Sequence, residues 1–283
     1  MSRPFTTLIS VDELRALLAA GAAPVIVDCS FDLADTDDGE YAWSAVHVAG
    51  SFYLHLDRDL SGEKTGRNGR HPLPERAAFA ATLGRLGIAP GTQVVALDRQ
   101  GGPYASRLWW MLRWMGHEAV AVLDGGFDAW RAAGGAVDAE VPTPRSTTPY
   151  PDRAPLAGVT GSDELLAALG RTRLVDARNG ERFRGEVEPL DKVAGHIPGA
   201  LNRFFKDNLA GNGRFKPGQT LRAEFEALLG RDAAANTVHL CGSGVTACHN
   251  LLAMEHAGLA GSSLYPGSWS EWSADPSRPI ALG

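Results

Sequence analysis

The chain repeats itself, and this internal duplication constrains its fold more than any single motif does. Val25-Ile26-Val27-Asp28 is answered by Leu174-Val175-Asp176, and His47-Val48-Ala49-Gly50 by His196-Ile197-Pro198-Gly199. Val94-Val95-Ala96-Leu97-Asp98 matches Thr237-Val238-His239-Leu240-Cys241. The stretch from Leu123 to Trp130 parallels the one from Leu264 to Trp272. Four matches in the same order, at nearly the same displacement, describe a duplicated domain. The length of 283 residues agrees, being long for a single compact core. Between the copies Pro142, Pro144, Pro149, Pro151 and Pro155 cluster among polar residues over 138–156. Such a stretch cannot hold a helix and reads as an extended linker. The expected domains are therefore 1–145 and 146–283.

Each copy alternates short apolar strands with amphipathic helices. In the first, the spacing predicts a helix over 11–20 that stops at Gly21, then a buried strand over 25–28. A helix over 75–86, a strand over 94–97, a helix over 106–115 and a strand over 119–123 follow. The second copy offers helices near 163–169, 221–229 and 245–256. This alternation implies an α/β fold, two tandem domains each with a mainly parallel sheet flanked by helices. Ligands of such sheets sit at the carboxyl ends of the strands.

One strand end carries a reactive group. The apolar run Thr237-Val238-His239-Leu240 delivers Cys241 into the loop Gly242-Ser243-Gly244-Val245-Thr246, and a helical pattern starts at once. A tight loop of this kind turns successive N–H groups inward and sets a helix N-terminus beneath them. Both favour negative charge in the bowl of the loop, the condition a nucleophilic thiolate needs. The matching position in the first copy is Asp98, which cannot accept and pass on sulfur, and Pro103 further along its loop lacks an N–H. The first copy is expected to be silent and to shape the substrate cleft, the second to be active. Cys248 and Cys29 read as small core residues.

Cys-Gly-Ser-Gly-Val-Thr-Ala resembles the active-site loop of the rhodanese superfamily, in the form found in two-domain 3-mercaptopyruvate sulfurtransferases. The silent first copy and active second copy match that family's pattern, so the resemblance covers most of the chain. It implies that Cys241 takes sulfane sulfur from 3-mercaptopyruvate as a persulfide, surrounded by the loop from Gly242 through Ser243, Gly244 and Val245 to Thr246. A thiol, cyanide or a thioredoxin-like protein would accept the sulfur, with no metal or organic cofactor. It further implies Arg182 as the cation for the anionic donor. Arg178 and Arg184 read equally well as structural or surface charges. His47 would join Ser243 in a proton relay, with Asp35, Asp37 or Asp38 as its acid, whereas His196 reads as a turn histidine. The aromatic stretch from Tyr265 to Trp272 reads as packing.

The chain also departs from the family. Its mercaptopyruvate enzymes carry a second arginine after an acidic, proline-containing stretch; residues 185–195 here hold none, and Lys192 is the nearest cation. Thiosulfate as donor, and a non-catalytic persulfide carrier, therefore stay open as alternatives. A cysteine phosphatase would need an arginine at the position of Ala247. A net charge of −6 points away from nucleic acid and anionic membranes as partners. Three cysteines make no disulfide framework, and residues 1–14 hold no apolar run of signal-peptide length, so the expected setting is the reducing cytoplasm.

Overall fold

The computed structural model describes residues 3–144, 146, 148–230 and 234–283; Arg145 and Thr147 of the expected linker lie outside them. The chain forms two compact units. One takes the chain up to Ser61 together with Pro74–Leu156 and Gly211–Arg214; the other takes Gly62–Leu73, Ala157–Ala210 and Phe215–Gly283. The division along the chain falls after Leu156, later than the expected boundary at 145. The reason is that the proline-rich stretch is bound to the first unit: Tyr150 N–H donates to Ala80 O (2.9 Å) and Leu156 N–H to Arg113 O (2.8 Å). A second difference is that each copy gives a loop to the unit of the other, Gly62–Leu73 in one direction and Gly211–Arg214 in the other.

The first unit runs β1 (Leu8–Ile9), α1 (Val11–Ala19), β2 (Val25–Asp28), α2 (Asp38–Ala45), β3 (His47–Val48), β4 (Phe52–Tyr53), α3 (Arg76–Arg85), β5 (Val94–Leu97), α4 (Pro103–Trp114), β6 (Val120–Leu123), α5 (Gly126–Ala132) and β7 (Val137–Asp138). Its sheet has the order β1-β6-β5-β2-β4 with every pairing parallel. Ser10 opens α1 with a reciprocal cap: its hydroxyl accepts from the Glu13 N–H while the Glu13 carboxylate accepts from the Ser10 N–H. Helix α4 begins earlier than the apolar spacing predicts, because Pro103 needs no N–H partner at the first helical position and Gly102 takes φ +102° ahead of it. Ile9, Leu14, Ile26, Val95, Leu97, Phe127 and Trp130 make one continuous apolar cluster.

The second unit runs β8 (Gly158–Val159), α6 (Ser162–Ala168), β9 (Arg173–Asp176), α7 (Gly180–Arg184), β10 (Ala200–Asn202), α8 (Gly218–Leu229), β11 (Thr237–Leu240), α9 (Ala247–His256), β12 (Ser263–Leu264) and α10 (Ser268–Trp272). Its sheet, β8-β12-β11-β9-β10, is parallel throughout and repeats the order of the first strand for strand. Leu165, Leu174, Ile197, Val238, Leu240, Tyr265, Trp269 and Trp272 pack as its core, so the C-terminal aromatics are indeed packing residues. β11 lies in the middle of the sheet, buried along its whole length, which is why four consecutive residues leading to Cys241 avoid charge. Among the described residues no helix is long and apolar enough to cross a membrane.

His239 on β11 is the one titratable group in that strand. It is fully buried, with Nε2 at 3.1 Å from Met254 Sδ, and desolvation pushes its imidazole down to about 3. The neutral ring is therefore the folded form, while the unfolded chain takes a proton below about pH 6.5. Stability should fall as pH drops from about 6.5 toward 3, at up to about 1.4 kcal/mol per pH unit from this residue alone. Urea unfolding at pH 7, 6, 5 and 4 should show a His239→Leu variant losing less stability per unit than the wild type; parallel slopes would refute the effect.

Candidate active site

The loop between β11 and α9 is pinned on one side by the turn after β12. The N–H groups of Trp269 and Ser270 donate to the carbonyls of Cys241 (3.0 Å) and Gly242 (2.9 Å). Ser268 closes the other direction: its Oγ accepts the Cys241 N–H (3.1 Å) and donates to Tyr265 O (2.9 Å). Ser268 holds φ +53°, rare for a residue with a side chain, so these bonds hold a turn that the backbone alone would not choose. Gly244 sits at φ +76°, and a Cβ there would meet Pro266 O at 2.2 Å. No other residue fits that place.

Cys241 stands at the bottom of the loop, 2% exposed, and its Sγ accepts the Gly244 N–H at 3.2 Å. An amide thus already points at the sulfur, as the sequence pattern requires of a thiolate site. Cys248, one helical step along α9, is fully buried and donates its thiol to Gly244 O (3.4 Å). Cys29 is buried too, and desolvation together with Asp28 and Asp98 pushes its thiol well up.

The first copy shows what such a loop binds. Asp98 stands where Cys241 stands, and its carboxylate fills its own loop. Oδ1 accepts the N–H groups of Gln100 (3.0 Å) and Gly102 (2.8 Å), and Oδ2 those of Tyr104 (2.9 Å) and Ala105 (3.0 Å). Burial pushes the Asp98 carboxyl up, against these four bonds. The first copy's loop amides thus converge on a side chain of the loop itself.

Ser243 is buried beside Cys241, and its Oγ lies 2.7 Å from Nδ1 of His71, not of His47. His47 departs from the role expected of it. In the first unit its Nδ1 lies 2.8 Å from Trp43 O, its Nε2 lies 3.0 Å from Asp138 Oδ1, and its ring stacks on Trp43 at 4.3 Å. Neither Asp35, Asp37 nor Asp38 is its acid. His196 repeats the arrangement in the second unit: Nδ1 at 2.8 Å from Phe183 O, stacked on Phe183 at 3.9 Å. Each histidine also pairs its backbone with a closing segment, His47 with Asp138 and His196 with Ala281. Equivalent contacts in the two copies mark both rings as fold elements.

Arg182, on the short helix α7, lies against the loop. A Cβ on Gly242 would lie 3.5 Å from both its Nη atoms, and 2.7 Å from Nη2 of Arg70. Glu188 orients Arg182, accepting from Nη2 at 2.7 Å and from Nε at 3.3 Å. Burial alone would push the Glu188 carboxyl up, but the bonds from Arg182 and from the Leu190 and Asp191 N–H groups outweigh it and hold it below the usual range. Arg178 is structural: 1% exposed, it spans Asp176 (2.7 Å) and Gly195 O (2.7 Å) above the Trp269 ring. Arg184 pairs with Glu186 at the surface, and Lys192 is exposed.

His71 and Arg70 escaped the sequence reading because they belong to the first copy in sequence and to the second unit in space. A signal was present. Asn68-Gly69-Arg70 in the loop between β4 and α3 is repeated as Asn212-Gly213-Arg214 between β10 and α8, and these are the two exchanged loops.

The family model of the rhodanese-like domain matches residues 10–133 and 162–275. A probable 3-mercaptopyruvate sulfurtransferase of Pseudomonas aeruginosa is 43% identical over 98% of both chains. A putative thiosulfate sulfurtransferase of Mycobacterium tuberculosis is 39% identical over 98% of this chain and 97% of its own. The solved 3-mercaptopyruvate sulfurtransferase of Leishmania major superposes with a TM-score of 0.85 at 32% identity, covering 96% of this chain and 75% of its own. Two copies of one domain, one with a carboxyl-filled and one with a thiol-bearing loop, agree with these matches: the chain belongs to the rhodanese-like family, as a tandem pair of its domains.

Proposed function

We propose that the protein is a sulfurtransferase that moves sulfane sulfur from 3-mercaptopyruvate through a persulfide on Cys241. The observation that carries this reading is Cys241 Sγ held under a loop amide beside a Ser243–His71 pair. The Cys241 thiolate attacks the donor's sulfur; a new S–S bond forms and the C–S bond breaks. The electron pair leaves as the enolate of pyruvate, and a proton, balanced by the one on the donor's thiol, turns the enolate into pyruvate. The outer sulfur of the persulfide then occupies the kind of amide cradle that the Asp98 carboxylate occupies in the first copy, where four N–H groups offset its charge. A thiol, cyanide or a reduced thioredoxin-like protein attacks the outer sulfur, and the thiolate returns. Two half-reactions through a covalent intermediate give ping-pong kinetics.

The Ser243–His71 pair supports mercaptopyruvate over thiosulfate. Sulfite leaves as a stable anion and needs no proton, whereas an enolate gains from a hydroxyl whose proton is managed by an imidazole. Thiosulfate is the second reading, supported by the lack of an arginine in 185–195 and by the relative of that name in Mycobacterium tuberculosis. Three free thiols suit a reducing compartment such as the cytoplasm.

Steady-state assays with each donor, cyanide as acceptor, test this directly. Cys241→Ser should abolish turnover with both donors, and retained turnover would sink the persulfide. Ser243→Ala should lower kcat with mercaptopyruvate by roughly 10²-fold while leaving thiosulfate turnover nearly intact. Equal losses with both donors would remove the pair from proton transfer. Arg182→Ala, which deletes a charged hydrogen-bonding partner of the donor, should raise donor KM by roughly tenfold or more with Cys241 still open to alkylation. Unchanged donor kinetics would take Arg182 out of the site.

A further inference from the structure

We propose that the first unit carries a binding site of its own, for a small monocarboxylate of the 2-oxo acid type, in the cavity where its Asp98 loop meets the exchanged loop Gly211–Arg214. The cavity measures about 180 Å³ and is lined by Arg99, Gly101, Gly125, Asp128, Asn212 and Gly213. All six residues belong to the first unit. Each also has a counterpart at the thiol-bearing loop. With Asp98 matched to Cys241, Arg99 and Gly101 match Gly242 and Gly244, while Gly125 and Asp128 match Gly267 and Ser270. Asn212-Gly213 repeats Asn68-Gly69. The Phe127 N–H on Asp98 O (3.1 Å) and the Trp269 N–H on Cys241 O (3.0 Å) fix this register. The first copy therefore lacks the nucleophile but keeps an opening at the carboxyl end of its central strand β5, where ligands of parallel sheets sit.

Four loop amides are spent on Asp98, so an anion in this cavity has to be held by side chains. Arg99 supplies the charge. Its guanidinium lies 3.8 Å over the Phe127 ring, and its bonds to Val46 O (2.5 Å) and Ala42 O (3.3 Å) both leave from Nη2. The Asp28 carboxylate is 3.7 Å from that same Nη2, and Nε is buried without a hydrogen-bond partner among the described residues. Asn212 Oδ1 accepts the Arg214 N–H (3.1 Å), which leaves the Asn212 NH2 group to donate. Arg214 packs on the Gly125 wall, where a Cβ would lie 3.3 Å from its Cγ and 3.5 Å from its Nε.

The charge balance sets the ligand class. Asp128 at the rim lies 3.5 Å from Arg131, whose guanidinium is 5.7 Å from the Phe127 ring that also carries Arg99. Three guanidiniums thus stand against Asp128 and the buried Asp28, a surplus that suits one negative charge better than two. Size agrees. A cavity of about 150 Å³ accepts benzene, a guest of six heavy atoms, and a three-carbon 2-oxo acid has six as well. Its carboxylate would take the Arg99 guanidinium, in a charge-assisted bond, and its keto oxygen the Asn212 NH2. The sulfurtransferase reaction proposed above releases such an acid, and the choice of probe is all that rests on that reading.

Titration of the full-length protein with pyruvate, followed by backbone amide NMR, tests the site without turnover. The amides of Gly101, Gly125 and Gly213 should shift together and saturate with a Kd on the order of a few millimolar, the affinity that one or two charge-assisted bonds support. Arg99→Gln should weaken this binding by roughly tenfold and leave any response of Gly242 and Gly244 unchanged. No saturable shift at the three glycines, or a wild-type Kd in Arg99→Gln, would overturn the site. Equal binding of neutral pyruvamide would overturn the role of charge, and sulfate binding as tightly as pyruvate would overturn the carboxylate assignment. Should Arg99→Gln fail to fold, judged by its thermal unfolding, Asn212→Asp in the exposed loop decides. A several-fold weaker Kd there supports the site, and a wild-type Kd overturns it. Wild-type protein silent with mercaptopyruvate would instead sink the proposed reaction, and the titration would still judge the cavity.

Discussion

Backbone amides turned toward one point at the end of a central parallel strand are the interaction on which this molecule depends. Such a loop stabilises a negative charge without any cationic side chain inside it, and the charge can be supplied in different ways. In the first copy four N–H groups converge on the Asp98 carboxyl and offset part of the burial that pushes it up. In the second the sulfur of Cys241 occupies that end with the Gly244 N–H upon it. The strand order, the glycine at φ +76° and the strained turn at Ser268 all serve to keep those amides aimed.

The duplicated scaffold separates parts that belong to the fold from parts that belong to the chemistry. His47 and His196, each stacked on the aromatic ring of a short helix and bonded to a carbonyl, recur in both copies and so belong to the fold. Ser243, Arg182, Arg70 and His71 surround only the thiol-bearing loop. Around that loop the charges are matched in pairs, two arginines against Glu188 and Asp191.

Much of this was legible in the residues. Val25–Asp28 and Val94–Leu97 read as strands because buried parallel strands are uninterrupted apolar runs, and both are strands. Cys241 read as the nucleophile candidate because strand, glycines and helix follow one another without a gap. The start of α4 was misread because apolar spacing is blind to Pro103 as a helix opener. The partner of Ser243 was misread for a different reason. Periodicity and local spacing describe what neighbours in sequence do, and His71 lies 172 residues from Ser243. His47 drew attention through its motif, yet a histidine in a repeated turn motif is doubly suited to structure. What the residues did carry, unread, was the paired Asn-Gly-Arg of the two exchanged loops.

That exchange gives each half of the chain a part in the other's unit. After a duplication, each copy could in principle be discarded again, and the better one kept. Here the second unit is finished by Gly62–Leu73 and the first by Gly211–Arg214. A second half released on its own would keep Cys241 and its loop but would lack the His71 ring beside Ser243. Neither unit is therefore made wholly from its own half of the sequence.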